Sequence, residues 1–312
     1  MRQPNILVVG SANMDLVVKA ERVPRQGETI MGHGFQTVHG GKGANQAVAC
    51  ARLGARTTML GRVGNDAFGR ELRAGLEREG VDVSHLRADP QAASGIAVII
   101  VDATGDNSIV VAPGANGCLT LEDVEALRLA ESSYDAVLAQ LEIPLEVIIA
   151  TFEQARAAGA KTILDAGPAR KLPPELLRQV DVISPNRSEA EAILGMKISG
   201  KGSLEGVSRR LQSLGPKEVV LKLGEEGALV TRGRESTRIP AAAITPVDTT
   251  GAGDAFTAAL AVFLAEGKDI VAAARPAACA GALAATVFGA QPSMPTRQTL
   301  RQFAKEQGIA WE

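Results

Sequence analysis

The sequence predicts an α/β protein: a doubly wound, mostly parallel sheet with helices on both faces, plus a small β-sheet lid. Three observations carry this. Short apolar runs bounded by turn residues alternate with longer stretches of helical apolar spacing through most of the 312 residues. Two segments break that rhythm with period-two alternation and no helix inside them, as in I-A-V-I-I-V. The length also suits one large α/β domain over 1–312 with a smaller appendage, since single cores stop growing near roughly 250–300 residues.

The elements follow in order. Residues 6–9, 58–60, 136–141, 162–164, 182–184 and 219–223 read as buried parallel strands. Residues 44–53, 66–79, 145–158, 189–194 and 204–214 carry helical spacing between them. The segments at about 15–40 and 95–112 read as antiparallel lid strands inserted into the core. Two Ala-rich helices, 255–266 and 272–287, close the chain, and Pro276 is expected to kink or delay the second because it lacks an N–H.

Bulk composition narrows the function. Hydrophobic residues are 46%, charged residues 22%, and the net charge is −2 with no run of like charges. That argues against nucleic acid as main partner, which needs clustered Lys and Arg. Three scattered cysteines, Cys50, Cys118 and Cys279, read as thiols in a reducing compartment, with neither disulfide frame nor zinc site. The N-terminus lacks the apolar length of a signal peptide, and no stretch approaches the roughly 20 apolar residues that span a bilayer. A cytoplasmic protein is expected.

Three motifs carry chemistry. Asp248-Thr249-Thr250-Gly251-Ala252-Gly253-Asp254 runs straight into a helical segment. Glycines before a helix let N–H groups point outward, and the helix start adds about half a positive charge, which together suit an anion. Asp254 in the first turn can accept a proton from an attacking hydroxyl; a Gly-rich loop with an N-capping Asp is the plainer account. Gly40-Gly41-Lys42-Gly43-Ala44-Asn45-Gln46 opens another helix. It is not a Walker A loop, because no Ser or Thr follows Lys42. Lys42 and Asn45 suit a polyol as donors, with glycines for close approach, and a simple helix start is the alternative. Gly10-Ser11-Ala12-Asn13-Met14-Asp15 places Asn13 and Asp15 at the C-terminal edge of the sheet, where such folds bind ligands. The second and third glycines of a dinucleotide fingerprint are missing, and an Asx turn also accounts for these two residues.

These strings, with Q-L-E-I-P, S-P-N-R-S-E, L-G-E-E-G and G-A-Q-P-S in the same order, resemble the signatures of the ribokinase/phosphofructokinase-B-type carbohydrate kinase family over about 5–303. G-A-G-D marks the broad family, whereas G-G-K-G-A-N-Q with N-x-D is more specific to its ribokinase branch. The resemblance implies ATP-dependent phosphorylation of D-ribose at O5. It implies that Asn13, Asp15, Gly41, Lys42, Gly43, Asn45 and Glu142 bind sugar hydroxyls. Asp254 is then the base, with Gly251, Ala252 and Gly253 as anion hole. Asn186 and Glu189 match a motif tied to Mg²⁺ and the nucleotide phosphates, and Gly224 and Gly227 match the loop beside the nucleotide. Asp248, Thr250, Ala284, Val287, Gly289 and Ser293 match a loop pair that holds K⁺, mainly through carbonyls.

Some positions depart from the family pattern. Lys222 stands where Thr is frequent near the phosphates, so it either touches ATP or repels magnesium. Ala278 replaces a polar residue at the adenine edge. His33, His39 and His85 read as surface or lid residues rather than bases. Three other readings remain: a sibling kinase for deoxyribose, fructose or a nucleoside; a dehydrogenase, which lacks its glycine fingerprint; and a non-catalytic sugar-binding regulator, against which the Asp254 loop speaks. A homodimer joined through the lid is expected, because apolar Val17, Ile30, Val98 and Ile100 on a small sheet exceed what its own core can cover.

Overall fold

Side chains of the run Ile6–Val9 alternate between two cores: Ile6 and Val8 enter one, Leu7 and Val9 the other, and none is accessible. A strand buried on both faces is what helices on both sides of a parallel sheet require. In this computed structural model, which describes residues 2–198 and 203–309, that run is an interior strand of a nine-stranded sheet.

The strands are β1 (Asn5–Val9), β2 (Asn13–Ala20), β3 (Gly32–Gly40), β4 (Arg56–Gly64), β5 (Leu86–Asp89), β6 (Gly95–Val101), β7 (Asn107–Ala112), β8 (Ala136–Ala139), β9 (Lys161–Asp165), β10 (Val182–Ser184), β11 (Glu218–Lys222), β12 (Ala228–Arg232) and β13 (Glu235–Ile239). The large sheet runs β13-β12-β11-β10-β9-β8-β1-β4-β5. It is parallel from β11 to β5, and β12 and β13 join antiparallel at one edge. The strand order reverses at β1, between β8 and β4, and ligand crevices of open α/β sheets form at such a switch point. Helices Lys42–Arg52 and Ala252–Ala265 pack in the first core and Leu145–Ala157 in the second.

The lid is a separate four-stranded sheet, β3-β2-β6-β7. Its two central strands, β2 and β6, pair parallel, not antiparallel as expected. The reason is the connection: β3, a helix, β4, another helix and β5 intervene, and so long a path returns the chain in the same direction. One face carries Asp15, Val17, Ala97 and Ile99, and the last three are buried together. The other face carries Val98 and Val110, directly paired, and Phe35, all exposed. Val17 therefore does not belong to the outward surplus, and Ile30 lies outside any strand.

Other expectations shift for local reasons. β5, β12 and β13 were not read from the pattern; the last two form a hairpin about Gly233, whose φ of 59° fits its tight turn. β8 stops at Ala139, before Gln140 and Glu142 turn toward the crevice. The second Ala-rich helix runs unbroken from Ile270 to Ala284 through Pro276. Asp269 caps it by accepting the N–H groups of Val271 and Ala272, and burial of Ala273, Ala274, Ala277 and Ala278 offsets the one bond Pro276 cannot make. Among the described residues no helix is long and apolar enough to cross a membrane, and all three cysteines are free.

Candidate active site

Two glycine-rich helix starts meet at the C-terminal edge of the sheet, and their free N–H groups distinguish them. A helix leaves its first N–H groups without internal partners. In the Lys42–Arg52 helix these are taken by the chain itself: Lys42 N–H donates to Glu142 Oε2 at 3.2 Å, Gly43 N–H to Ser11 Oγ at 3.4 Å and Ala44 N–H to the Ser11 carbonyl at 2.8 Å. In the Ala252–Ala265 helix, Ala252 N–H reaches the Thr249 carbonyl at 3.2 Å, while the N–H groups of Gly251 and Gly253 have no partner among the described residues. Of these two starts, the second keeps more N–H groups open to an anion. Gly251 there has φ 80°, open to glycine, and Gly253 lines a cavity of about 540 Å³.

Gly41 and Gly43, expected to permit close approach of a polyol, also meet a packing demand within the chain. A Cβ on Gly43 would stand 2.6 Å from Gly10 C, and one on Gly41 2.7 Å from Asn13 N. They let the helix start press onto the β1–β2 turn.

That pressing delivers three side chains to Asp254. Lys42, Asn45 and Gln46 share one helix face. Asn45 Nδ2 donates to Asp254 Oδ2 at 2.9 Å, Gln46 Nε2 to Oδ1 at 2.9 Å, and Lys42 Nζ lies 3.7 Å from Oδ1. Asn45 is expected as a donor to sugar hydroxyls; one of its two amide hydrogens goes to Asp254, and its buried Oδ1 has no partner among the described residues. The Asp254 carboxylate holds the Lys42 ammonium above its ordinary pKa against the cost of burial, with Asp165, Glu142 and Glu189 adding to the pull.

Asp15 projects from β2 into a second cavity, of about 770 Å³, between the inner lid face and the 246–250 and 288–290 loops. Burial, and then the charges of Glu142 and Asp254, push its carboxyl up to about 7. Asn13 is buried beside it, and its Oδ1 accepts from Asn116 Nδ2 at 2.7 Å. Glu142 Oε2 also accepts from Ser11 Oγ.

Lys222, Gly224, Gly227, Gly253 and Ala278 all line the smaller cavity. Asn186 lines neither. It caps the Arg187–Leu194 helix, where its Oδ1 accepts the Glu189 N–H and its own N–H donates to Glu189 Oε2. Burial raises the Glu189 carboxyl above its ordinary pKa. Asp248 ties the two loops of the expected cation site together: Oδ1 accepts from Thr250 N–H and Oδ2 from Gly289 N–H, both at 2.9 Å. The carbonyl of Ala284 accepts from Val287 N–H, and Ser293 Oγ donates to the Ala290 carbonyl. Among the described residues no three His, Cys, Asp or Glu side chains gather as metal ligands.

Sequence reasoning missed Gln46, Asp165, Gln140 and Asn116 as site residues. Gln46 was visible as the last letter of its motif, and Asp165 as a carboxylate ending an apolar strand. The walls 241–244, Phe256 and Gly281 of the smaller cavity carried no signal beyond their small side chains. His39 pairs with Glu71 at 3.3 Å, away from the Asp254 donors.

The fold and this arrangement define a carbohydrate kinase, and the chain belongs to the pfkB family of carbohydrate kinases, whose model matches residues 3–297. Within it the similarity is to the ribokinase type. The ribokinase of Bacillus subtilis is 42% identical, over 96% of this chain and 98% of its own. The deoxyribokinase of Salmonella typhi is 32% identical over 96% and 98%. The structure of Arabidopsis thaliana ribokinase complexed with ribose and ATP superposes with a TM-score of 0.89 at 37% identity, covering 97% of this chain and 99% of that one.

The raised Asp15 carboxyl gives a stability signature. It ionises near 3.8 when unfolded and near 7 when folded, so between those values the folded state holds the extra proton. Stability of the ligand-free protein then falls as pH rises through that window. Asp15→Asn is expected to gain stability over the wild type between pH 4 and pH 8, by on the order of a few kcal/mol. Urea unfolding of both proteins across that range measures it; a difference that does not change with pH refutes it.

Proposed function

We propose that the protein transfers the γ-phosphoryl group of ATP to O5 of D-ribose, giving D-ribose 5-phosphate and ADP. The observation that carries this is the pairing of free N–H groups at Gly251 and Gly253 with a buried carboxylate, Asp254, in the same first turn. Ribokinases are among its curated relatives, and the Arabidopsis enzyme was solved with ribose and ATP.

The sugar enters through the larger cavity, which Asp15 lines, and its hydroxyls are met by Asp15 together with Asn13, Lys42, Asn45 and Glu142 behind it. Asp254 takes the proton of the primary hydroxyl as that oxygen attacks phosphorus. Asn45 and Gln46 aim the carboxylate and hold it as an acceptor. ATP occupies the smaller cavity along Gly224, Gly227 and Ala278, and the loop 251–253 meets the charge on the transferring group. The Ala-rich wall at 278 supplies shape to the base and no polar contact.

Mg²⁺, when bound with the nucleotide, supplies charge neutralisation on the phosphates. Glu189 suits it as the single carboxylate of a site completed by water and phosphate oxygens, and Asn186 keeps Glu189 turned into place. For K⁺ the set is rich in carbonyls: Asp248 holds the two loops together through the N–H groups of Thr250 and Gly289, and the backbones of Thr250, Ala284, Val287 and Gly289, with Ser293 beside them, would hold the ion. The free cysteines agree with work in the cytoplasm. The exposed outer lid face of Phe35, Val98 and Val110 suits a second copy of the chain packed lid to lid.

A substrate panel read by ADP release is the direct test. D-Ribose should exceed 2-deoxyribose and fructose in kcat/KM by about tenfold to a hundredfold, because a missing hydroxyl leaves a buried acceptor unpaired. A preference for deoxyribose would assign the chain to its deoxyribokinase relatives' specificity instead.

Asp254→Asn should lower kcat by roughly 10²–10⁴-fold while leaving sugar affinity in place. Retention of more than about a tenth of the rate would remove Asp254 as base.

Replacing KCl by Tris chloride at constant ionic strength should slow turnover, and NaCl should restore less of it. Equal rates in all three would leave the loop pair without a cation role.

Light scattering should report about twice the 32.4 kDa chain mass, and Val110→Glu should split the dimer. A fully active monomer at micromolar concentration contradicts the lid contact.

A further inference from the structure

Asp165 ends β9 in the interior, 1% exposed, and lines neither cavity. A carboxylate so placed is costly unless each oxygen is paired. Its Oδ1 accepts from Lys222 Nζ at 2.7 Å, and its Oδ2 accepts from Gln46 Nε2 at 2.8 Å. The same Gln46 nitrogen donates its second hydrogen to Asp254 Oδ1, while Gln46 Oε1 accepts from Gln140 Nε2 at 2.6 Å. Facing two carboxylates, the Gln46 amide has one possible orientation, nitrogen toward both.

The chain Lys222–Asp165–Gln46–Asp254 thus joins the lining of the smaller cavity to the carboxylate proposed as base. At its far end Lys222 sits in an unusual place for a cation. A Cβ on Gly253 would be 3.6 Å from its Nζ, so the ammonium lies against the positive start of a helix. Thr257 Oγ1, itself bonded to the Gly253 carbonyl, is 3.4 Å away. Helix start and ammonium repel each other unless an anion stands between them or a carboxylate holds the ammonium back. Asp165 is that carboxylate.

We propose that Asp165 is a positioning residue for both halves of the reaction: one oxygen holds Lys222 beneath the anion loop to meet the transferring phosphoryl group, and the other fixes Gln46 and through it Asp254. This rests on the phosphoryl-transfer reading above. It also decides between the two roles open to Lys222, since a lysine anchored there meets phosphate directly.

The test is a cycle of Asp165→Asn, Lys222→Thr and the double variant, with ribose and ATP. Asp165→Asn should lower kcat by about tenfold or more and raise the KM for ATP, with ribose affinity measured without nucleotide unchanged within about twofold. In the Lys222→Thr background, Asp165→Asn should cost at least about fivefold less than it does in the wild type, because the Lys222 pair is already broken there and the amide oxygen of Asn can still accept from Gln46. Should Asp165→Asn alone not fold, the double variant, which leaves no lone buried charge, is compared with Lys222→Thr, and a difference of less than about threefold supports the pairing. Effects that multiply, or an Asp165→Asn enzyme with wild-type kcat and ATP KM, overturn it. A wild-type protein that releases no ADP with ribose would instead defeat the phosphoryl-transfer reading itself, so the two failures read differently.

Discussion

A buried carboxylate is stable only where donors are already in place, and Asp254 obtains its donors from a single turn of another helix. Lys42, Asn45 and Gln46 reach it together because the Lys42–Arg52 helix starts flush against the β1–β2 turn. That contact is permitted by Gly41 and Gly43, whose missing side chains would occupy backbone atoms of Gly10 and Asn13. The turn in turn sits where the strand order reverses, so sheet topology, glycine placement and the hydrogen bonding of one side chain form a single dependency.

Charge is divided across this junction. On the lid side Asp15, Glu142 and Asp254 crowd together, with Lys42 as their nearby cation. Such a cluster accepts hydroxyl hydrogens well and resists a second anion. On the other side the helix start and Lys222 present positive potential to an apolar cavity built from alanines and glycines. A neutral polyol and a polyphosphate are sorted to opposite sides by the same set of charges. Glu189, raised by burial and eased by both lysines, lies between the two environments.

Much of the site was legible in the sequence for a physical reason. Glycines that need positive φ or close approach, a carboxylate in a first helical turn, and polar residues at strand ends are local demands with local spellings. The Asp254 loop, the Lys42 helix and the Asn13–Asp15 turn are each such a string, and their shared order matched one family. What each string does was less legible. Two glycine-rich helix starts look alike as letters, yet one has its N–H groups taken by Ser11, 32 positions from Gly43, and by Glu142, 100 positions from Lys42. Asn45 was read as a donor to sugar, and its bond to Asp254, 209 positions away, was not foreseen. Asp165, one residue past the run 162–164, drew no reading, because nothing nearby in sequence says that Lys222 and Gln46 will close on it.

The sequence by itself determined the layers, the helix starts and the chemical vocabulary, because apolar period and glycine geometry act over a few residues. The tertiary structure alone decided the parallel pairing of β2 with β6, the choice of anion-binding helix and the chain from Lys222 to Asp254. These depend on which distant groups satisfy a buried donor or charge, and that pairing exists only once the sheet has brought its strand ends together.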